Sequence, residues 1–196
     1  MKKGKGIVKE YYDDENFEFE GEYLNGERNG KGKEYYEDGE LIFEGEYLNG
    51  KKNGKGKKYY PDGKLIFEAE YINGEKNGKG KEYYFNGKIL FEGDYKYDKK
   101  WNGKGYDDNG NICYELINGE GKVKEYFING ILMFEGEYDL GERNGQGKEY
   151  FWLNGELIFE GEFRDGERWN GKGKEYDDNG ELIFEGEYLD GKQKIK

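Results

Sequence analysis

The sequence has no histidine and a single cysteine, Cys113, in 196 residues. Histidine is the commonest metal ligand and general base, and one thiol can neither close an internal disulfide nor complete a cysteine and histidine zinc site. We therefore interpret Cys113 as a small buried hydrophobe and expect neither a metal nor any other cofactor. There is also only one proline, which argues against an extended proline-rich linker.

Long apolar runs are absent as well. No stretch approaches the roughly 18 consecutive apolar residues that a membrane-spanning helix needs. The start, Met1-Lys-Lys-Gly-Lys-Gly, is not followed by the apolar segment of a secretion signal. We expect a cytoplasmic protein.

Charge is abundant and unbalanced. There are 44 acidic against 32 basic residues, and the formal net charge is −12. Such a field repels phosphate backbones and anionic lipid headgroups, so we expect no nucleic-acid partner and consider a membrane partner unlikely. With 35 glycines, this composition alone would suit a disordered chain, but 20 tyrosines, 12 phenylalanines and 3 tryptophans argue for a folded one.

An internal repeat organises the aromatic residues. The pentad Phe-Glu-Gly-Glu-Tyr, or a near copy, recurs at intervals of 24, 24, 24, 43, 25 and 25 residues, and a decayed copy at Cys113-Tyr114-Glu115-Leu116 lies inside the long interval. The whole chain is therefore predicted to be one array of about eight units, residues 1–196, with an irregular unit around residues 96–123. The pentads begin at Phe19, Phe43, Phe67, Phe91, Phe134, Phe159 and Phe184.

Each unit has the pattern of a β-hairpin. Two aromatic and β-branched stretches flank Asp38-Gly39, which predicts a two-residue turn, and Asn154-Gly155 lies one residue later, which predicts a three-residue turn. With Asp38 and Gly39 at the turn centre, Tyr36 would face Leu41 and Tyr35 would face Ile42. The register then continues with Glu34 opposite Phe43, Lys33 opposite Glu44 and Lys31 opposite Glu46.

Strand alternation assigns the two faces of the sheet. One face would carry Phe43, Tyr47 and the glycines, with Glu34 as its only charge, and the other face would carry pairs of lysine and glutamate. Gly45 lies in mid-strand, where glycine suggests that the phenylalanine and tyrosine rings lie over bare backbone. Ala69 replaces this glycine in one unit. The same register predicts further pairs of Lys57 with Glu68, Lys55 with Glu70, Lys81 with Glu92, Lys124 with Glu135, and Lys174 with Glu185.

These motifs resemble the MORN repeat. One unit runs from Phe43 through Gly45 and Tyr47 into Gly50-x-x-x-Gly54-x-Gly56, and its Tyr-Tyr and Leu-Ile-Phe segments are similar to the variant found in bacterial and protist repeat proteins and in a family of antitoxins. The pattern and the resemblance together predict an all-β fold with little or no helix. We expect a single elongated, twisted antiparallel sheet of about eight stacked hairpins.

The resemblance and the thin sheet together imply a function in binding. We expect a non-catalytic scaffold that holds a helical or extended protein segment in an aromatic groove, or that forms a homodimer through a terminal repeat. A toxin-neutralising protein and a membrane tether are alternatives. The candidate partner-binding residues are Tyr36, Phe43, Tyr47, Tyr60, Phe67, Tyr71, Tyr84, Phe91, Tyr95, Phe134, Tyr138, Phe159, Phe163, Phe184 and Tyr188.

Catalytic motifs are weak. Glu44 and Glu46 could be read as a glycosidase pair, but the same pair recurs in unit after unit with a lysine predicted opposite each carboxylate. The Gly-Lys-Gly-Lys segments lie at strand starts rather than at helix N-termini, so they do not predict a phosphate site. Asp107-Asp108-Asn109-Gly110 resembles a calcium loop in composition but lacks the distal glutamate. We predict that the protein is not an enzyme.

Overall fold

The computed structural model describes residues 4–12, 17–177 and 179–194, and every regular element in this part of the chain is a β-strand. Antiparallel hairpins follow one another in sequence order, which confirms the all-β prediction. The strands are β1 (Lys5–Tyr11), β2 (Phe17–Leu24), β3 (Glu27–Tyr35), β4 (Leu41–Leu48), β5 (Lys51–Tyr59), β6 (Leu65–Ile72), β7 (Glu75–Tyr83), β8 (Ile89–Lys96), β9 (Lys99–Tyr106), β10 (Ile112–Leu116), β11 (Gly121–Tyr126), β12 (Leu132–Asp139), β13 (Glu142–Tyr150), β14 (Leu157–Arg164), β15 (Glu167–Tyr176), β16 (Leu182–Leu189) and β17 (Lys192–Lys194).

The prediction of one continuous sheet was wrong. The strands form two open sheets, a ten-stranded sheet from β1 to β10 and a seven-stranded sheet from β11 to β17. By its internal contacts the chain divides into two compact units, Met1–Asp98 and Lys99–Lys196, which are called unit 1 and unit 2 below. Each is described by itself.

The break between the sheets has a cause in the sequence. Strands β10 and β11 have only 5 and 6 residues, and the segment between them makes a single isolated bridge, from Ile117 to Glu120. Three residues separate the two glycines in Gly26-x-x-x-Gly30 and Gly50-x-x-x-Gly54, and four separate Gly166 from Gly171, but only Glu120 separates Gly119 from Gly121. The missing residues shorten the ladder. The break lies within residues 96–123.

The hairpin turns are one residue longer than the sequence predicts. The Tyr36 amide donates to the Glu40 carbonyl and the Gly39 amide donates to the Tyr36 carbonyl, each at 2.8 Å, so the loop has three residues and not two. Gly39 closes the loop with φ +86°, the left-handed conformation of the last residue in such loops. Tyr35 therefore pairs with Leu41, and the expected pairs of Tyr35 with Ile42 and of Tyr36 with Leu41 do not form.

A bulge at Ile42 restores the expected register beyond the turn. Glu34 pairs with Phe43, Lys33 with Glu44 and Lys31 with Glu46, as predicted. The extra turn residue shifts the pairing by one position on one strand, and the bulged residue shifts it back, so the pairs beyond Ile42 are the predicted ones. The other predicted pairs of lysine and glutamate are confirmed as register partners in β5 to β8, β11, β12, β15 and β16.

Among the hairpin loops that the structure describes in full, the loop between β13 and β14 is the longest. The Phe151 amide donates to the Glu156 carbonyl and the Gly155 amide donates to the Phe151 carbonyl, both at 2.8 Å, which encloses four residues. The predicted length of three was wrong, although this loop does exceed the others by one residue. The insertion exposes Trp152 and Leu153, at 53% and 58% of their full areas.

Ion pairs on the lysine and glutamate face follow the register in part. Lys81 reaches Glu92 at 3.4 Å and Lys124 reaches Glu135 at 3.2 Å, whereas Lys174 reaches Glu156 at 2.6 Å rather than Glu185 opposite it. Tyrosine hydroxyls add to this face: Tyr59 donates to Glu44 at 2.7 Å and Tyr83 donates to Glu68 at 2.8 Å. Such exposed pairs contribute about 0–1 kcal/mol each and chiefly fix the register.

The three-residue loop generates the first prediction. Gly39→Ala places a Cβ in the left-handed region and should lower the free energy of unfolding by about 1–2 kcal/mol, whereas Gly39→Asn should cost less because asparagine tolerates this conformation. Urea denaturation of the two variants measures the difference. Equal stability of Gly39→Ala and the unchanged protein would contradict the assigned loop.

Candidate functional site

The predicted site residues form a packed row along one face of each sheet. The Phe43 ring lies over Gly45 and Gly56, and a Cβ built on Gly45 would lie 2.8 Å from Cζ of Phe43 and 2.9 Å from the Gly56 Cα. Phe43 also meets Tyr47 and Tyr71 edge to face, with centroids 6.1 and 5.7 Å apart. The mid-strand glycines therefore make room for the rings, as the sequence indicated.

Burial divides the predicted site residues. Tyr36, Tyr60, Phe67, Tyr138 and Phe184 are half-buried. The others are buried and form much of the core: Phe43, Tyr47, Tyr71, Tyr84, Phe91, Tyr95, Phe134, Phe159, Phe163 and Tyr188. Within each sheet the two groups share one face, which we call the aromatic face of that sheet. Whether a partner binds along it stays a prediction.

Cations cover the rings, which the sequence reasoning missed. The Arg28 guanidinium lies 4.0 Å from the Phe19 ring centroid, the Lys52 ammonium lies 3.9 Å from that of Phe43, and the Arg143 guanidinium lies 4.4 Å from that of Phe134. The signal was present, because Arg28 lies an even number of residues before Gly30 and Glu34 on the same strand. The equivalent residues form what we call the cation row: Arg28, Lys52, Lys76, Lys100, Arg143 and Arg168.

Carboxylates alternate with these cations. Glu34 contacts Arg28 at 3.3 Å and Lys52 at 2.9 Å, so one carboxylate joins the cations of two successive repeats. In unit 2, Glu149 likewise joins Arg143 at 2.9 Å to Arg168 at 2.8 Å. We call the two sets together the ion ladder. Its carboxylates are the cross-strand neighbours of the repeat phenylalanines: Glu10, Glu34, Glu82, Glu125, Glu149 and Glu175.

Tyrosine hydroxyls of the aromatic face donate hydrogen bonds to carboxylates of the ladder. The Tyr47 hydroxyl donates to Glu34 at 2.8 Å and the Tyr138 hydroxyl donates to Glu125 at 2.7 Å. The pKa of both phenols is raised above its ordinary value, mainly because the hydroxyls are buried and secondly because each lies beside a negatively charged carboxylate. A phenol with a raised pKa stays protonated, so each one remains a donor at neutral pH.

A groove runs over this face in unit 2. It encloses about 1040 Å³. Its floor includes the predicted residues Phe163 and Tyr188 together with Arg143 and Arg168 of the cation row. Its apolar wall consists of Phe151, Trp152, Leu153 and Tyr176. The Phe151 and Tyr176 rings are stacked, with their centroids 4.7 Å apart.

The structure describes no cluster of three or more potential metal ligands in residues 4–12, 17–177 and 179–194. Cys113 is half-buried rather than buried, and its thiol lies 3.8 Å from the Tyr126 hydroxyl. Among the described residues there is no helix with the length and apolar character needed to cross a membrane.

Successive antiparallel hairpins with phenylalanine over glycine, repeated along the chain, define a β-hairpin repeat protein. The family model described as the MORN repeat matches residues 19–40, 43–64, 67–89 and 134–151, and the model of the MORN repeat variant matches residues 119–140 and 169–190. The chain belongs to the MORN repeat family, as its motifs predicted. No curated protein matches the chain.

The ion ladder generates the second prediction. Glu125 is 7% exposed and contacts Lys100 at 3.4 Å and Arg143 at 3.9 Å. Glu125→Gln removes the carboxylate and leaves two cations with one fewer counter-charge, so it should lower the free energy of unfolding by about 2–4 kcal/mol.

Glu160→Gln is the matched control in the same unit. Glu160 pairs with Lys148 at 3.3 Å on the opposite face and is 59% exposed. Its loss should change the free energy of unfolding by about 0–1 kcal/mol. Equal effects of the two variants in urea denaturation would show that the ladder contributes no more than a surface pair.

Proposed function

We propose that the protein is a non-catalytic scaffold that binds a segment of another protein along its aromatic face. The observation that carries this proposal is the groove of unit 2, where the exposed Trp152 and Leu153 stand beside a floor of rings and paired charges. Tryptophan and arginine are the residues that most often dominate the energy of protein interfaces. Arg143 and Arg168 lie in the floor of this same groove.

The mixture of surfaces favours an amphipathic segment. An apolar side chain of the partner would pack against the wall formed by Trp152, Leu153 and the Phe151 ring. Polar groups of the same segment would meet the ladder residues Arg143, Glu149 and Arg168. Helical and extended segments can both present side chains in this way, as helices in grooves and strands at sheet edges do elsewhere.

Catalysis has little support in the same groove. Glu149, which lies in its floor, already pairs with two arginines, and the same arrangement recurs at Glu34 with Arg28 and Lys52. A catalytic carboxylate is usually distinguished by its environment, and the equivalence of Glu149 and Glu34 gives no sign of such a distinction. We therefore propose binding alone, in the cytoplasm, with no nucleic-acid partner.

Self-association through a terminal repeat is a second candidate. Strand β1 pairs with β2 on one side, and Ile7 in this strand is 75% exposed. An open strand edge with an exposed apolar side chain can pair with a second copy of itself. A dimer that dissociates on Ile7→Lys in sedimentation analysis is the outcome expected of this candidate.

The scaffold proposal gives the third prediction. Affinity purification from the native source, with quantitative mass spectrometry, should recover a protein that is lost with Trp152→Ser, Leu153→Ser. With the purified partner, this double variant should bind at least about tenfold more weakly, since a buried interface tryptophan commonly contributes 2 kcal/mol or more. If the partner proves to be a basic toxin whose activity the chain blocks, the scaffold is a toxin-neutralising protein.

Ile183→Ser is the matched control. Ile183 is 63% exposed in unit 2 and does not line the groove, so its substitution removes exposed apolar area outside the groove. The purified partner should bind the Ile183→Ser variant with the same affinity as the unchanged protein. A partner that binds all three proteins equally would overturn the assignment of the groove.

A further inference from the structure

One rung of the ion ladder has the wrong sign of charge. The cross-strand neighbour of the repeat phenylalanine is a glutamate in the hairpins of Phe19, Phe43, Phe91, Phe134, Phe159 and Phe184. In the hairpin of Phe67 the neighbour is Lys58. The ladder of unit 1 therefore places a cation where its pattern calls for a carboxylate.

Other cations flank this position. Lys58 is the cross-strand neighbour of Phe43 on one side and of Phe67 on the other. The Lys52 ammonium lies 3.9 Å from the Phe43 ring centroid, and the Lys76 ammonium lies 4.9 Å from the Phe67 ring centroid. Three successive lysines thus follow one another along the aromatic face of a protein whose net charge is −12.

The counter-charges lie at the ends of this run. Lys52 pairs with Glu34 at 2.9 Å and Lys76 pairs with Glu82 at 3.5 Å. Within the residues that the structure describes, no carboxylate oxygen lies within 4.0 Å of the Lys58 ammonium. Lys58 itself is half-buried.

The ring beside Lys58 is also unusual. Phe43 and Phe91 are 1% and 0% exposed, but Phe67 is half-buried. Its mid-strand neighbour is Ala69 rather than glycine, and the atoms closest to a Cβ built on Gly80 belong to Tyr95 and Ala69, whereas the Phe43 ring lies over the equivalent Gly56. The Ala69 methyl group occupies the floor, so the Phe67 ring is raised toward the surface.

These observations meet at one place, which we call the Lys58 rung: Lys52, Lys58, Lys76 and Phe67. The group missing from it is a carboxylate, because Glu34, Glu125 and Glu149 each lie between two cations at the equivalent position. A ligand carboxylate would complete the alternation of charge, and an adjacent apolar group of the ligand would cover the raised ring.

We propose that the Lys58 rung binds an acidic protein segment, through an aspartate or glutamate side chain flanked by an apolar residue. The inference rests on the proposed function in taking the aromatic face as the binding surface, but it concerns unit 1 and none of the groove residues of unit 2. At about 0.15 M salt, charges more than about 8 Å away are largely screened, so the local lysines outweigh the acidic charge of the whole chain.

The test uses a fluorescein-labelled peptide in which glutamate alternates with leucine, and the matching peptide of glutamine and leucine. Fluorescence anisotropy at physiological ionic strength should show saturable binding of the acidic peptide to the full chain. Lys58→Glu should weaken this binding at least about tenfold, because it closes the ladder with an internal carboxylate. The glutamine peptide should bind at least about tenfold more weakly than the glutamate peptide.

Lys57→Glu is the matched control, since it makes the same charge change at the next residue, whose side chain points to the opposite face. It should leave the affinity within about twofold of the unchanged protein. Lys58→Gln provides a second variant that introduces no new charge, and it should also weaken binding. Circular dichroism of each variant establishes that the strands are retained.

Three results would overturn the proposal: no saturable binding of the acidic peptide, equal weakening by Lys57→Glu and Lys58→Glu, or displacement of the peptide by an equal concentration of inorganic phosphate. The last result would identify a phosphate site instead. Trp152→Ser, Leu153→Ser should bind the peptide normally. A negative peptide result would therefore overturn the Lys58 proposal without affecting the proposed groove of unit 2. If the Trp152 and Leu153 substitutions do not affect partner capture, the peptide measurement alone still tests the Lys58 rung.

Discussion

The packing of a phenylalanine ring on bare glycine backbone is the interaction on which the rest of this fold depends. A sheet of hairpins has no second layer to bury its apolar face, so the rings must find cover within the sheet itself. Gly45 and Gly56 let the Phe43 ring lie flat enough to reach 1% exposure. The same packing recurs at Phe19, Phe134 and Phe159, whose rings are equally buried.

The ion ladder supplies the remaining cover. Arginine and lysine side chains extend over the rings with their stems as well as their charges, and aromatic faces attract cations. A cation in this half-buried position needs a counter-charge, which the cross-strand glutamate provides. The tyrosines four residues after Phe43 and Phe134 donate to Glu34 and Glu125 and hold these two carboxylates in place. The surface that a partner would meet is therefore a set of paired charges above an aromatic core. Its departures from the pattern, at Lys58 and at the loop of Trp152, are the places where binding is proposed.

Much of this could be predicted from the sequence, because period and register depend on short-range patterns. The pairs of Glu34 with Phe43 and Lys33 with Glu44 follow from alternation and an approximate turn position. The turn length could not be predicted in the same way, because Asp-Gly suits both two-residue and three-residue loops, and the bulge at Ile42 hides the error further along the strands. The division into two sheets depends on the residues missing between Gly119 and Gly121, a local deletion whose effect on hydrogen bonding appears only in three dimensions.

The packed row of rings was predicted in outline, whereas partner binding along it stays a prediction. The rings were assigned to the correct face, but their burial depends on how Arg28 or Lys52 crosses them, and side-chain direction is not encoded in the repeat period. Raising of the Phe67 ring by Ala69 likewise follows from packing, although the substitution itself is visible in the sequence.

The free energy of unfolding of Gly45→Ala tests the central claim most directly, with Gly6→Ala as its reference. A Cβ at Gly45 meets the Phe43 ring and the Gly56 backbone, whereas a Cβ at Gly6 has no atom within 4 Å. If the rings depend on the glycine floor, Gly45→Ala loses about 1–3 kcal/mol in urea denaturation, because the ring must lift as Phe67 does. Gly6→Ala loses nothing or gains up to about 1 kcal/mol. Equal stability of the two variants would contradict the account.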